Sequence, residues 1–97
     1  MGKALIIAPS ARGDLHDIVK QIAHDAPERA VKFGDALLDR AQQAADLPKS
    51  GRMVPEFKRD DLRELVHAPI RIIYRIRADE AVEIVRFWHA ARGTPEP

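Results

Sequence analysis

The run Ile70-Arg71-Ile72-Ile73-Tyr74-Arg75-Ile76-Arg77 most narrows what this chain can fold into. Successive side chains of a strand point to opposite faces. One face then carries Ile70, Ile72, Tyr74 and Ile76, and the other carries Arg71, Arg75 and Arg77 with Ile73. Such a strand needs an apolar layer behind it and leaves a cationic face in front, open and able to hold something anionic. Two more β-rich runs flank it, at residues 62–67 and at 82–89 with its continuation to Arg92. Asp79-Glu80 is a short polar break, so the second and third runs should pair as a hairpin. The third run does not sort cleanly. Alternation puts Val82, Ile84, Arg86 and Trp88 on one side and Glu83, Val85, Phe87 and His89 on the other.

The covering layer is encoded earlier in the chain. Residues 3–8 read as a strand ended by Pro9, with Ser10 as a helix N-cap. Ala11, Leu15, Ile18, Val19 and Ile22 then recur at helical spacing, with Asp14, Asp17 and Lys20 on the other side. That helix should stop before Pro27. Asp25-Ala26-Pro27-Glu28 restarts one, with a capping carboxylate, proline in the first turn and an acid at the positive helix end. The second helix runs to about Ala45, with Ala30, Phe33, Leu37, Leu38, Ala41 and Ala44 as its apolar stripe. So short a break between helices predicts an antiparallel hairpin. Residues 47–57 read as loop by their Pro and Gly content. Residues 93–97 carry no packing signal and read as a flexible tail. The order is β-α-α-β-β-β: one two-layer α+β domain over residues 1–97, a helical hairpin on one face of a four-stranded, mostly antiparallel sheet. Leu15, Ile18, Ile22, Phe33, Leu37, Ile72, Tyr74 and Ile84 are the expected core.

Composition excludes several kinds of chemistry. The 97 residues contain no cysteine, so disulfides and thiolate catalysis are out. The histidines His16, His24, His67 and His89 lack metal-ligand spacing, and no metal or cofactor is expected. The apolar run near the N-terminus is too short for a signal peptide core or a membrane span. A cytoplasmic protein without membrane attachment is expected. Net charge is only +1, so any affinity for an anionic partner must be local.

With these elements placed, the chain resembles the RelE/ParE superfamily of type II toxin–antitoxin toxins over nearly its whole length. The resemblance rests on Ser10, Asp14, Leu15 and Ile18, then Pro27 and Phe33, then Gly51-Arg52 and Pro55-Glu56. It continues through Arg63-Glu64-Leu65, the 71–76 run, and Val82-Glu83-Ile84 to His89 and Arg92. It implies a cognate antitoxin whose C-terminal segment wraps the domain, within a higher-order complex. The apolar furrow at the helical hairpin and the edge strand at residues 3–8 are the docking surfaces it suggests.

The superfamily holds two mechanisms: ribosome-dependent cleavage of mRNA, and poisoning of DNA gyrase without cleavage chemistry. RNA cleavage by a neighbouring 2′-hydroxyl needs a base, an acid and cations around the phosphate. Arg71 and Arg92 fall where the RelE-like branch carries phosphate-binding arginines, with Glu56 or His89 as acid or base. Arg52, Arg63, Arg75 and Arg77 complete a set able to bind an anionic partner. Each has a plainer reading: Glu56 pairing with Lys58 or Arg52, Glu64 with Arg63 or Arg71, His89 packing at a strand end. The strand at 62–67 lacks the lysines of the RNase branch, and the only tyrosine, Tyr74, is on the expected core face. The resemblance therefore implies a ParE-like gyrase poison, with an mRNA endoribonuclease or a non-toxic paralogue that keeps antitoxin binding as the alternatives.

Overall fold

In the computed structural model, which describes residues 4–97, Pro9 and Pro27 each open a helix. Proline suits this position because its missing N–H has no helical partner there anyway. Helix α1 spans Pro9–Asp25 and α2 spans Pro27–Asp46. Their N-caps are Ala8 and Ala26, and neither end has a side-chain cap. The expected caps are thereby corrected. Ser10 lies inside the first turn of α1, and Asp25 is the last residue of that helix. Strand β1, Leu5–Ile7, precedes α1; the expected start at Lys3 lies outside the described residues.

The buried stripe of α2 is Ala30, Gly34, Leu37, Ala41, Ala44 and Ala45. Small residues let α2 sit close to α1. A Cβ on Gly34 would stand 3.0 Å from Val19 Cγ2, tighter than ordinary packing allows. Leu38, expected in this stripe, is 38% exposed. It follows Leu37 by about 100° of helical rotation, past the edge of the face that meets the sheet.

Strands β2 (Arg52–Met53), β3 (Leu62–His67), β4 (Ile70–Ile76) and β5 (Val82–His89) complete the fold, with 3-10 turns at Pro48–Ser50 and Ala90–Arg92. Among the described residues the sheet order is β1-β5-β4-β3-β2. β1 runs parallel to β5 and the other pairs are antiparallel. The α+β order is as expected, with one strand more. β2 lies in residues read as loop and pairs Arg52 with Glu64 and Met53 with Arg63. Two residues are too few to produce an alternating pattern.

The core lies between the helices and one sheet face. Leu37, Ile72, Tyr74 and Ile84 are buried there with Leu65, Ile70, Val82 and Phe87. Leu15, Ile18 and Phe33 pack against them half-buried, and Ile22 is half-buried as well. The opposite face is not bare. Val54, Leu62, Ile73, Val85 and Trp88 form a second buried apolar cluster there, which corrects the expectation of an open face.

A β-bulge explains why β5 could not be sorted by alternation. Ile73 pairs with Arg86 and Tyr74 with Ile84, so Val85 is the extra residue. Two residues then oppose one, and the face assignment shifts by one position. Val82, Ile84 and Phe87 reach the helix-side core, while Val85 and Trp88 reach the other cluster. The edge of β5 beyond β1 is completed by α1. Ser10 Oγ donates to the Val85 carbonyl at 3.0 Å, and Asp14 Oδ2 accepts from the Phe87 N–H at 3.1 Å. Asp14, expected on the outer side of α1, instead faces the sheet.

Tyr74 ties the post-helical turn to the core. Its hydroxyl donates to the Pro48 carbonyl at 2.6 Å and accepts from the Gly51 N–H at 3.0 Å. Burial pushes its pKa up. The turn passes so near that a Cβ on Gly51 would lie 2.6 Å from the Glu64 carbonyl oxygen. Tyr74→Phe should leave both backbone groups without their partner and lower stability by about 1–3 kcal/mol. Urea unfolding at an unchanged m-value measures this.

Candidate functional site

Four charged side chains, Arg52, Glu64, Arg71 and Glu56, join into one chain across the sheet face turned away from the helices. Glu64 is at its centre, 1% exposed. The ladders explain the meeting. Arg52 stands opposite Glu64 and Val66 opposite Arg71, which puts all four on this face with Ile73. Arg52 Nε donates to Glu64 Oε2 at 2.6 Å, and Arg71 Nε donates to Glu64 Oε1 at 2.7 Å. The remaining fork of Arg71 is filled by Glu56 from the β2–β3 loop. Nη1 donates to Oε2 at 2.9 Å and Nη2 to Oε1 at 2.8 Å. A bidentate pair of this kind is strong and fixes orientation. The hydrogen bonds from Arg71 hold Glu56 down to about 2, from an ordinary 4.5. The Glu56 and Glu64 carboxylates in turn raise the Arg71 pKa. Of the plainer pairings, Glu64 takes Arg71. Glu56 takes Arg71 rather than Lys58 or Arg52.

The other candidate arginines also have internal carboxylates. Arg63 donates to Asp60 Oδ1 at 2.6 Å and to the Gly51 carbonyl at 2.8 Å. Lys49 joins the same Asp60. Arg75 lies 3.4 Å from Glu83, and Arg77 lies 3.2 Å from Asp79. The cationic face seen in the sequence is thus matched, arginine by arginine, by acids of this chain. Alternation reveals which face a side chain takes, but not which acid a loop brings to it.

Arg92 is placed differently. Its guanidinium carbon lies 3.9 Å from the centroid of the Trp88 ring, a cation–π contact. No carboxylate pairs with it among the described residues. Arg86 Cζ lies 4.8 Å from the same ring and is held by Asp14 through two hydrogen bonds of 2.7 and 2.8 Å. These raise the Arg86 pKa. Residues 93–97 run back over this place. The Gly93 carbonyl accepts from Trp88 Nε1, the Glu96 carbonyl accepts from Arg86, and Pro95 is buried. Trp88 pairs with Arg71 across the ladder, so Arg71 and Arg92 share a face. The roles of Asp14 and Trp88 were missed from sequence. The four-residue spacing of Ser10 and Asp14 was the available signal, because it puts both on one side of a helix.

His89 is on the other side. It pairs with the core residue Ile70 and lines a furrow of about 520 Å³ with Ile18, Ile22, Arg29, Phe33 and Pro69. Its Nδ1 accepts from the Ala91 N–H at 3.0 Å. The structure therefore brings Arg52, Glu56 and Arg71 together, sets Arg92 nearby, and separates His89 from them by the thickness of the sheet. Among the described residues no cluster of three His, Cys, Asp or Glu side chains could hold a metal, and no helix is long and apolar enough to cross a membrane.

A family model described as ParE toxin of type II toxin–antitoxin system, parDE, matches residues 5–93. The fold is similar to the chromosomal ParDE toxin–antitoxin system from P. aeruginosa, with TM-score 0.75 and 19% identity over 90% of this chain and 95% of that one. It is also similar to the toxin–antitoxin complex RelBE2 from Mycobacterium tuberculosis, with TM-score 0.64 and 21% identity over 92% of each chain. A comparison with curated proteins gave no match. At these identities the structural likeness speaks to the fold alone.

Two outcomes test the charged chain. Glu64→Gln leaves Arg52 and Arg71 without their shared buried anion. It should destabilise toward the lower end of the ~3–5 kcal/mol typical of a broken buried pair, because Arg52 is solvated. Denaturant unfolding reads the loss. The contribution of Glu56 is present above pH 4.5 and is lost as the pH falls toward about 2, because its pKa is depressed in the folded state. The stability gap between the native chain and Glu56→Gln should accordingly close across that window in an acid titration followed by circular dichroism.

Proposed function

The chain belongs to the ParE toxin family of type II toxin–antitoxin systems, and we propose on that premise that it arrests growth by poisoning DNA gyrase and is neutralised by a cognate antitoxin. One observation carries the gyrase reading. The acid–base candidates stand on opposite faces of the sheet, and the arginine fork meant for a phosphate is filled by Glu56. In-line RNA cleavage needs an acid and a base on the same phosphate. Glu56, with a pKa near 2, is a weak base, and His89 is turned toward the helical furrow. Arginine stays protonated and does not replace them. Poisoning of a large enzyme asks only for a complementary surface, not for proton-transfer groups. The toxin acts in the cytoplasm, where gyrase and DNA are.

The antitoxin would use two surfaces. The furrow beside His89 and Phe33 is mostly apolar, with Gln21, Asp25 and Arg29 also in its lining, which suits one face of an amphipathic helix. β1 is the sheet edge beyond β5, and an unpaired edge accepts an added strand.

Induced expression in bacterial cells should give filamentation and a DNA-damage response with transcript ends unchanged. Co-expression of the antitoxin from the adjacent reading frame should restore growth and yield a stable complex. Transcript cleavage at ribosomal A-site codons, abolished by Arg92→Ala in a folded protein, would instead establish the mRNA endoribonuclease reading. Normal growth throughout would establish the non-toxic paralogue.

A further inference from the structure

The two carboxylates on Arg71 are not equivalent. Glu64 has no solvent exposure in its side chain and is bound to two arginines. Glu56 is 29% exposed in its side chain and sits on a loop. Among the described residues it makes the only side-chain hydrogen bonds from residues 55–59 to the sheet; Arg59 bonds within the loop to Asp61. Two exposed apolar side chains lie on the segments that carry this pair of carboxylates. Phe57 adjoins Glu56 and is 36% exposed, and Val66 stands across the ladder from Arg71 and is 47% exposed.

From this we infer that the Arg71 fork is a docking point for an acidic, apolar-flanked peptide segment of a protein partner, and that Glu56 is its resident competitor. A partner Asp or Glu takes over Nη1 and Nη2, and Glu56 moves outward with its loop. Glu64 stays on Nε and one carboxylate replaces another on Nη1 and Nη2, so no N–H of this largely buried guanidinium is left without a partner, the state that would be costly. The net gain comes from covering Phe57 and Val66. While the chain is alone, Glu56 keeps Arg71 neutralised.

A nucleic-acid phosphate fits less well. Net charge is only +1, and Arg52, Arg63, Arg75 and Arg77 are already paired, so little field is left to draw a polyanion. Exposed Phe57 and Val66 suit a peptide with apolar side chains. The inference rests on the reading that a cognate antitoxin holds this domain, and it adds a contact on the sheet face turned away from the helical furrow, with its internal competitor.

The test uses the full chain and three labelled probes: a soluble peptide carrying Leu-Glu-Leu-Glu, the same peptide with Gln for Glu, and a single-stranded DNA. Fluorescence anisotropy reads binding, and thermal unfolding verifies that each variant is folded. Glu56→Gln should bind the acidic peptide about tenfold more tightly than the native chain, a shift of about 1.4 kcal/mol. The Gln peptide should show no gain. Adding Arg71→Lys, which keeps the charge but not the fork, should abolish the gain. Equal affinity of the native chain and Glu56→Gln for the acidic peptide would overturn the inference. So would a gain that survives Arg71→Lys, or one confined to the DNA. Growth arrest and antitoxin rescue are read in cells, so loss of the toxin reading and loss of this inference are told apart.

Discussion

Glu64 carries a charge where there is no water to solvate it, and much of the distal half of the fold is arranged around that fact. A buried carboxylate is tolerable only when paired and hydrogen-bonded. Arg71 supplies one partner from β4. Arg52 supplies the other, which explains why the chain makes a strand as short as β2 at all: two residues of ladder put the guanidinium opposite the acid. Tyr74 and Gly51 then fix the turn that leads into β2, through hydrogen bonds to Pro48 and Gly51 and an approach too close for any side chain at position 51. The charged chain and the tyrosine knot adjoin at Gly51, so loss of either would loosen the same turn.

The other organising device is the edge of β5. A parallel strand of three residues cannot cover a strand of eight. Past Ile7 the first turns of α1 take over, with Ser10 accepting the role of donor to Val85 and Asp14 that of acceptor for Phe87 and partner for Arg86. Here the bulge at Val85 matters. It turns Val85 and Trp88 away from the helices while keeping Ile84 and Phe87 in the core. Trp88 then serves as a platform for Arg92 and as a donor to Gly93. A shift of one residue in one strand thus sets the whole character of the distal face.

A fold shared by ParDE and RelBE2 systems does not select a mechanism, because chemistry resides in particular side chains carried on a scaffold. What separates the two mechanisms is whether proton-transfer groups converge on a cationic site. In this chain Arg52, Arg71, Glu56 and Glu64 converge, and the other acid–base candidate, His89, does not join them. Glu56 is consumed by Arg71, and His89 belongs to the helical side.

The sequence by itself determined the β-α-α-β-β-β order of the main elements, the restart of the second helix at Pro27, and the apolar faces of β4 and the two helices. Those features are local or periodic: proline geometry, 3.6-residue repeats and strand alternation act within a few residues. The superfamily was legible too, from Ser10 and Asp14 through Gly51-Arg52 to Arg71 and Tyr74. Only the tertiary structure decided that β2 exists, that β5 carries a bulge, that Leu38 faces outward and that Ser10 and Asp14 serve the sheet edge. It also decided which acid meets which arginine: Glu64 and Glu56 on Arg71, Asp60 on Arg63, Asp14 on Arg86. Charges attract at long range and with no preferred sequence spacing, so the pairing of sixteen basic with fifteen acidic residues is underdetermined until the backbone brings particular pairs within about 3 Å of one another.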